Sequence, residues 1–208
     1  GFAPYGYDHL YLIKDNNELD FASLKIFLKK NNNIKKFIFG FTSSIYDVFF
    51  KNKKIKNYKN YFKNSVIIHG GGWKKMEKQK ISNLQFKNFL TKKFFINKVI
   101  NYYGLIEQTG SIFFQCNNCS YFRNSIYSDI IIRDKNFNPI NKYSKNQKGF
   151  IQLLSVLPSS YPGNSILTED IGEFRYSNNC KECSKFGGKR FIVYGRSKVA
   201  EVRGCSDV

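Results

Sequence analysis

Two Cys-x2-Cys pairs constrain this chain more than any other feature: Cys116-Asn117-Asn118-Cys119 and Cys180-Lys181-Glu182-Cys183. Each pair can present two thiolates from one tight turn, and a tetrahedral zinc site takes four such soft ligands. Residues 120 to 179 separate the pairs, a gap of 60 positions, longer than a compact zinc ribbon. The fold, rather than the local chain, must therefore bring the knuckles together. Both knuckles follow expected strands, so loops leaving the same edge of an antiparallel sheet would meet that need. A site closed by four cysteines leaves no position for water, which makes zinc here a structural staple and not a catalytic centre. The plainer alternative is four unrelated thiols. A disulfide framework does not fit a chain without a secretory signal pattern.

Hydrophobic periodicity divides the rest. Phe21, Leu24, Phe27 and Leu28 lie at helical spacing over residues 21 to 30. Lys36 to Phe41 reads as a strand and Thr42-Ser43-Ser44 as cap candidates for a helix through Phe50. Ser65 to His69 is a second strand, a helix over 82 to 93 starts at Ser82, and Lys98 to Tyr103 is a third strand. Strands alternating with helices imply a parallel sheet with crossover helices, whose ligands bind at the carboxyl ends of the strands. Beyond Gly110 short strands are expected at Ser111 to Gln115, Asp129 to Arg133, Phe150 to Val156, Gly172 to Tyr176 and Arg190 to Tyr194, suggesting an antiparallel sheet or small barrel. The expected organisation is α/β: residues 1–110 a partial nucleotide- and acyl-binding subdomain, 111–196 the antiparallel subdomain with the cysteines, and 197–208 a hinge and the start of a further segment.

The formal charge of +19 could be the footprint of a nucleic-acid binder. Only six of the 34 basic residues are Arg, although phosphate clamps and groove readers favour its bidentate fork. The lysines also travel with Asn and Ile, as in Asn31-Asn32-Asn33-Ile34-Lys35-Lys36, a bias that AT-rich coding would produce. Solvated lysine faces are the preferred reading. No apolar run approaches the roughly 18 residues of a membrane span, so a soluble, cytoplasmic protein is expected. The start on Gly1-Phe2-Ala3-Pro4 reads as a fragment.

Several strand exits carry groups suited to a nucleotide. Gly70-Gly71-Gly72-Trp73-Lys74 strips side chains from the backbone where a flat ligand could approach, although such an exit is often only a turn. Tyr103-Gly104-Leu105-Ile106-Glu107 sets an aromatic ring, a Gly and a carboxylate within five residues. Thr168-Glu169-Asp170-Ile171-Gly172 adds two carboxylates, and Tyr194-Gly195-Arg196 a guanidinium. Each alone reads as a surface turn.

In this order the pieces resemble the adenylate-forming superfamily of acyl-CoA synthetases, and within it the LuxE-type acyl-protein synthetases of bacterial bioluminescence operons. The resemblance covers about residues 36 to 208 and takes in Leu154 to Pro158, Ser165 to Gly172 and Gly195 to Asp207. It implies the carboxyl-terminal part of an adenylate-forming large domain that uses ATP and Mg2+. Gly71 and Gly72 would line adenine, Tyr103 beside Gly104 would stack on it, Glu107 would hold Mg2+, Asp170 would bind the ribose hydroxyls, and Arg196 would contact ribose or phosphate. A carboxylate suits a hard cation, and an Arg can neutralise charge developing at the α-phosphate. Cys205, the fifth cysteine, is the candidate acyl acceptor, with Lys198 and Arg203 favouring its thiolate; an unreactive packing thiol is the equal alternative.

The chain departs from the wider superfamily at two positions and lacks two of its parts. Ile106 stands where a Thr usually meets phosphate, and Glu169 replaces the Gly of Thr-Gly-Asp, both features of the acyl-protein synthetase branch. A Ser/Thr/Gly-rich phosphate loop and the mobile lysine-bearing domain are missing, so these 208 residues alone are not expected to turn over ATP. The expected substrate is a fatty or other carboxylic acid, with a reductase or acyl-transferase subunit, acyl carrier protein or CoA as partner. A phenylacetate-type aryl- or acyl-CoA ligase is the alternative within the fold. A zinc-stabilised basic nucleic-acid-binding module is the alternative outside it.

Overall fold

The computed structural model describes residue 4 and residues 6–143, 146–175, 180–184 and 188–197. The chain is mixed α/β and divides into two compact units, one made of Gly1–His69 with Lys75–Val99, the other of Gly70–Lys74 with Ile100–Val208.

In the first unit, helix α1 (Phe21–Lys30) starts at Asp20, whose carboxylate accepts from the Ser23 N–H at 2.9 Å and satisfies an orphan donor of the first turn. Leu24 and Leu28, one turn apart, are its buried face. Three strands follow along the chain: β1 (Phe37–Phe41), β2 (Val66–Gly70), whose last residue already belongs to the second unit, and β3 (Lys98–Tyr103), which passes from the first unit into the second after Val99. The Val66 N–H donates to the Lys36 carbonyl at 3.0 Å and the Asn97 N–H to the Ser65 carbonyl at 2.9 Å. The amino ends of neighbouring strands thus lie side by side, which is the arrangement of parallel strands joined by helical crossovers.

The first crossover is helix α2 (Thr42–Tyr46), a π-helical turn over Asp47–Lys51 and a 3-10 stretch over Lys54–Phe62. The helix expected through Phe50 therefore widens its pitch at Asp47, where Val48 and Phe49 are buried. Phe49 packs edge-on against Phe62 and Phe94, at 5.3 and 4.9 Å between ring centroids, the geometry that aromatic quadrupoles favour. In the 3-10 stretch Ile55 and Phe62 are buried while Lys54, Lys56 and Lys59 are exposed. The second crossover is helix α3 (Asn83–Phe94). Ser82 and Gln85 form a reciprocal capping box there, and Phe86, Leu90 and Phe94 face the core.

The second unit is an antiparallel sheet. It adds β4 (Phe113–Gln115), β5 (Phe122–Arg123), β6 (Ser128–Arg133), β7 (Lys148–Ser155), β8 (Ser165–Phe174) and β9 (Arg190–Arg196). From β3 the order is β3-β4-β5-β9-β8-β7-β6, and no pairing among the described residues closes the run into a barrel. Phe113, Phe122, Ile130, Ile132, Ile151, Leu153, Phe174 and Phe191 make its core. Strands β6 and β7 alternate buried and half-buried residues, the period of a sheet packed on one face.

Strand β8 is longer than the expected Gly172 to Tyr176 and begins at Ser165. Thr168-Glu169-Asp170 therefore lies inside a strand and not in a surface turn. Two irregularities bracket it. Against β7, Leu167 pairs Gln152 while Ile171 pairs Phe150, so three β8 residues stand opposite Ile151 alone. Against β9, Ile171 pairs Gly195 and Gly172 pairs Val193, leaving Tyr194 as the extra residue of a bulge. Such bulges bend the strand and re-aim side chains.

Candidate functional site

The expected nucleotide residues that are described all belong to the second unit. At the exit of β2 the chain turns through Gly71 (φ 75°) and Gly72 (φ 60°), left-handed conformations that Gly adopts without penalty. Gly70 is constrained by contact instead: a Cβ there would sit 2.7 Å from the Tyr102 ring and 2.8 Å from its carbonyl oxygen. The glycine turn and the end of β3 thus approach more closely than any side chain would allow.

The end of β3 places the ring of Tyr103 against Phe113, Phe122 and Phe191 at tilted or edge-on angles. Its hydroxyl donates to Asp170 Oδ2 at 2.7 Å. Burial, reinforced by the Asp170 charge, pushes the phenol far above its ordinary pKa, so it stays a proton donor. Asp170 stands opposite Arg196 in the β8·β9 ladder. Arg196 extends toward solvent and reaches Glu169 at 4.0 Å, while the Ser197 N–H donates to the Glu169 carbonyl. Tyr103, Asp170 and Arg196 are therefore brought together, and Gly195, with φ 107° in the bulge, takes a backbone conformation that other residues rarely adopt.

Thr168 is not distinguished by residue type, and sequence reasoning passed over it as a site residue. Its hydroxyl donates to the Ile151 carbonyl at 2.8 Å, replacing the ladder bond that the bulge removes, and accepts from the Asp170 N–H at 3.1 Å. This holds the bulge in shape. Only its spacing, two residues before a carboxylate, could have signalled it.

Glu107 lies apart from that group. It is exposed on the single 3-10 turn Ile106–Gln108, and no hydrogen bond or ion pair among the described residues links it to Asp170 or Arg196. Gln108 anchors the turn: fully buried, it donates through Nε2 to the Gly163 carbonyl at 2.8 Å. The Thr109 N–H meets the Tyr161 hydroxyl at 3.0 Å. A carboxylate is the kind of hard oxygen donor that Mg2+ takes, one or two at a time, alongside waters and substrate phosphates.

The four cysteines converge. Their sulfurs all lie within 4.8 Å of one another, with Cys116 and Cys180 at 3.7 Å and Cys119 and Cys183 at 3.3 Å. A tetrahedron with sulfur at about 2.3 Å from its centre needs sulfurs about 3.8 Å apart, so the donor set fits zinc. The β5·β9 ladder explains the meeting. Cys116 and Cys119 lie in the turn between β4 and β5, Cys180 and Cys183 in and beside the one-turn helix α4 (Lys181–Ser184) before β9, and Phe122 pairs Phe191. The Arg190 guanidinium ties the second knuckle down by donating to the Cys183 carbonyl at 3.1 Å. Without a cation the thiols diverge. A hydrogen bond from the Cys183 N–H draws Cys180 down to about 7, whereas burial pushes Cys183 and Cys116 up.

His69 is buried in the first unit. Its Nδ1 lies 3.0 Å from Thr42 Oγ1 and its ring 4.7 Å from that of Phe86, and burial lowers its pKa to about 4. Phe39 and Phe41 are half exposed on β1, and Trp73 is buried in the second unit. Cys205, Lys198 and Arg203 lie outside the described residues. Among the described residues no helix is long and apolar enough to cross a membrane.

Comparison with known proteins converges on the same fold. A 2-hydroxyisobutyryl-CoA ligase, crystallised open with 2-HIB-AMP and CoA, matches at TM-score 0.60 and 13% identity over 82% of this chain and 36% of its own. MatB from Rhodopseudomonas palustris matches at 0.53 and 11% identity, over 84% and 33%. A benzoate CoA ligase from Burkholderia xenovorans LB400 matches at 0.52 and 10% identity, over 83% and 34%. This chain spans about a third of the length of these structures. No curated protein matches it. The acyl-protein synthetase family, LuxE, matches residues 5–208, nearly the whole length, and the chain belongs to that family.

Proposed function

We propose that this chain supplies the adenylate-binding part of an acyl-protein synthetase. The reaction joins a fatty or other carboxylic acid to ATP, releasing pyrophosphate and forming acyl-adenylate, and passes the acyl group to a thiol. The observation that supports it best is the meeting of Tyr103, Asp170 and Arg196 across β3, β8 and β9, with a 2.7 Å bond between the first two. A carboxylate there can accept from ribose hydroxyls, and Arg196 can neutralise charge growing on the α-phosphate as pyrophosphate leaves. Gly71 and Gly72 leave the backbone open to a flat base, with Tyr103 and Gly104 at the end of the neighbouring strand. Glu107 would hold Mg2+, which would supply charge neutralisation at the phosphates. Cys116, Cys119, Cys180 and Cys183 would hold a structural zinc. The acceptor is Cys205 or a partner thiol on an acyl carrier protein, a reductase or an acyl-transferase subunit; CoA as acceptor would make the protein a phenylacetate-type ligase instead. Four free thiols fit a reducing compartment, the cytoplasm.

The test is acid-dependent ATP–pyrophosphate exchange by the full-length protein. Asp170→Ala should lower it about a hundredfold, the scale on which loss of one polar contact to the reacting nucleotide acts. No exchange with any aliphatic or aromatic acid offered would end the adenylation reading. Radioactive acyl label that resists hydroxylamine, or that survives Cys205→Ala, would remove Cys205 as acceptor.

A further inference from the structure

The geometry points to Tyr103 as a positioning residue for Asp170, acting through its phenolic hydroxyl and not only through the face of its ring. The inference rests on the nucleotide reading of Asp170. Three observations carry it. The ring is held by Phe113, Phe122 and Phe191 at centroid distances of 6.1 to 6.2 Å, two of them core residues with no exposed surface. Its direction is therefore set by packing, before any ligand arrives. The hydroxyl then meets one oxygen of Asp170, Oδ2, at 2.7 Å, the short length of a charge-assisted bond.

The second observation is that Asp170 needs such a hold. On the β7 side its backbone lies where three β8 residues face a single β7 residue, and on the β9 side its pairing with Arg196 abuts a bulge, so regular pairing flanks it on neither side. Thr168 fixes its N–H at 3.1 Å, and Tyr103 fixes its carboxylate. The third is one of capacity. A carboxylate accepts through two oxygens, and the phenol engages Oδ2. Each oxygen has about two lone-pair sites, so Oδ2 keeps one after accepting from Tyr103 while Oδ1 keeps both and is the freer to receive ribose hydroxyls. Tyr103 would thus set the orientation of the carboxylate and favour Oδ1 as the oxygen that meets the sugar.

Tyr103→Phe separates the two roles, because Phe keeps the ring and its packing and removes only the hydroxyl. In the full-length protein, equilibrium binding of ATP and of 2′,3′-dideoxy-ATP is measured by calorimetry for wild type, Tyr103→Phe, Asp170→Asn and the double variant. Wild type should prefer ATP by about tenfold or more, the size of hydrogen bonds to a charged group. Tyr103→Phe should cut that preference to about twofold, read as the ratio of the two affinities within each variant. Asp170→Asn should do the same, and the double variant should be no worse than either single one. A preference retained in Tyr103→Phe would overturn the positioning role and leave the nucleotide reading intact. A wild type that binds ATP without preferring it removes Asp170 from the ribose, and the inference falls with it; a wild type that binds neither nucleotide takes down the proposed function as a whole. Equal loss of both nucleotides in Tyr103→Phe would mark damage to packing and also count against it.

Discussion

At the residue scale, the glycine turn and His69 make opposite demands on their surroundings. Gly72 has φ 60° and nothing within 4 Å of where a methyl group would stand, whereas Gly70 has backbone and ring atoms at 2.7 to 2.8 Å. Gly72→Ala should therefore cost only about 1 kcal/mol, the left-handed penalty, while Gly70→Ala should cost several times more because β3 must move. Urea denaturation of both variants checks the ranking, and equal costs would contradict it. His69 is neutral when folded, with a pKa of about 4, against about 6.5 when unfolded. Between those values the unfolded chain binds more protons, so its contribution is full above about pH 6.5 and falls as the pH drops toward 4. The fall should reach about 3 kcal/mol, and His69→Gln should flatten the profile between pH 4.5 and 7 in urea titrations.

At the scale of elements, α3 and β8 show how much a local pattern can say. The capping box of Ser82 and Gln85 is visible as a Ser three residues before a Gln, and Ser82→Ala should lower stability by about 1 kcal/mol. A thermal melt unchanged by that substitution would show that the cap is dispensable. Strand β8 is the contrary case. Thr168-Glu169-Asp170 has the polarity of a turn, yet Thr168 closes the gap in the ladder with its own hydroxyl. Thr168→Val keeps the shape and loses that bond, so it should weaken ATP binding several-fold, because Asp170 loses its guide, and lower stability by about 1 to 3 kcal/mol, because the buried Ile151 carbonyl loses a partner. Titration calorimetry with ATP reads the first effect and a thermal melt the second.

For the whole molecule, the cysteine cluster is the feature with the largest consequence. The sulfurs are spaced for a tetrahedral cation, and the two knuckles close a loop of the sheet that carries β8 into β9. Protein purified under reducing conditions should hold about one zinc per chain, and a strong chelator should lower the melting temperature by about 5 to 10 °C. Zinc should restore it and Mg2+ should not. Substoichiometric metal with an unchanged melt after chelation would leave the four residues as packed thiols.

What the residues determined by themselves was local: helices over residues 21 to 30 and 82 to 93, three strands alternating with helices, two of them with glycines at their exits, and two thiol pairs spaced for metal. Apolar periodicity and capping chemistry act between neighbours a few positions apart, so a linear reading recovers them. The tertiary structure alone decided how those pieces meet. Tyr103 reaches Asp170 across 67 positions and Cys116 reaches Cys180 across 64, and both distances depend on the register of β5, β8 and β9. Register is a property of paired strands, so the bulge at Gly195, the bond from Thr168 and the tilt of the Tyr103 ring are written in no single segment of the chain.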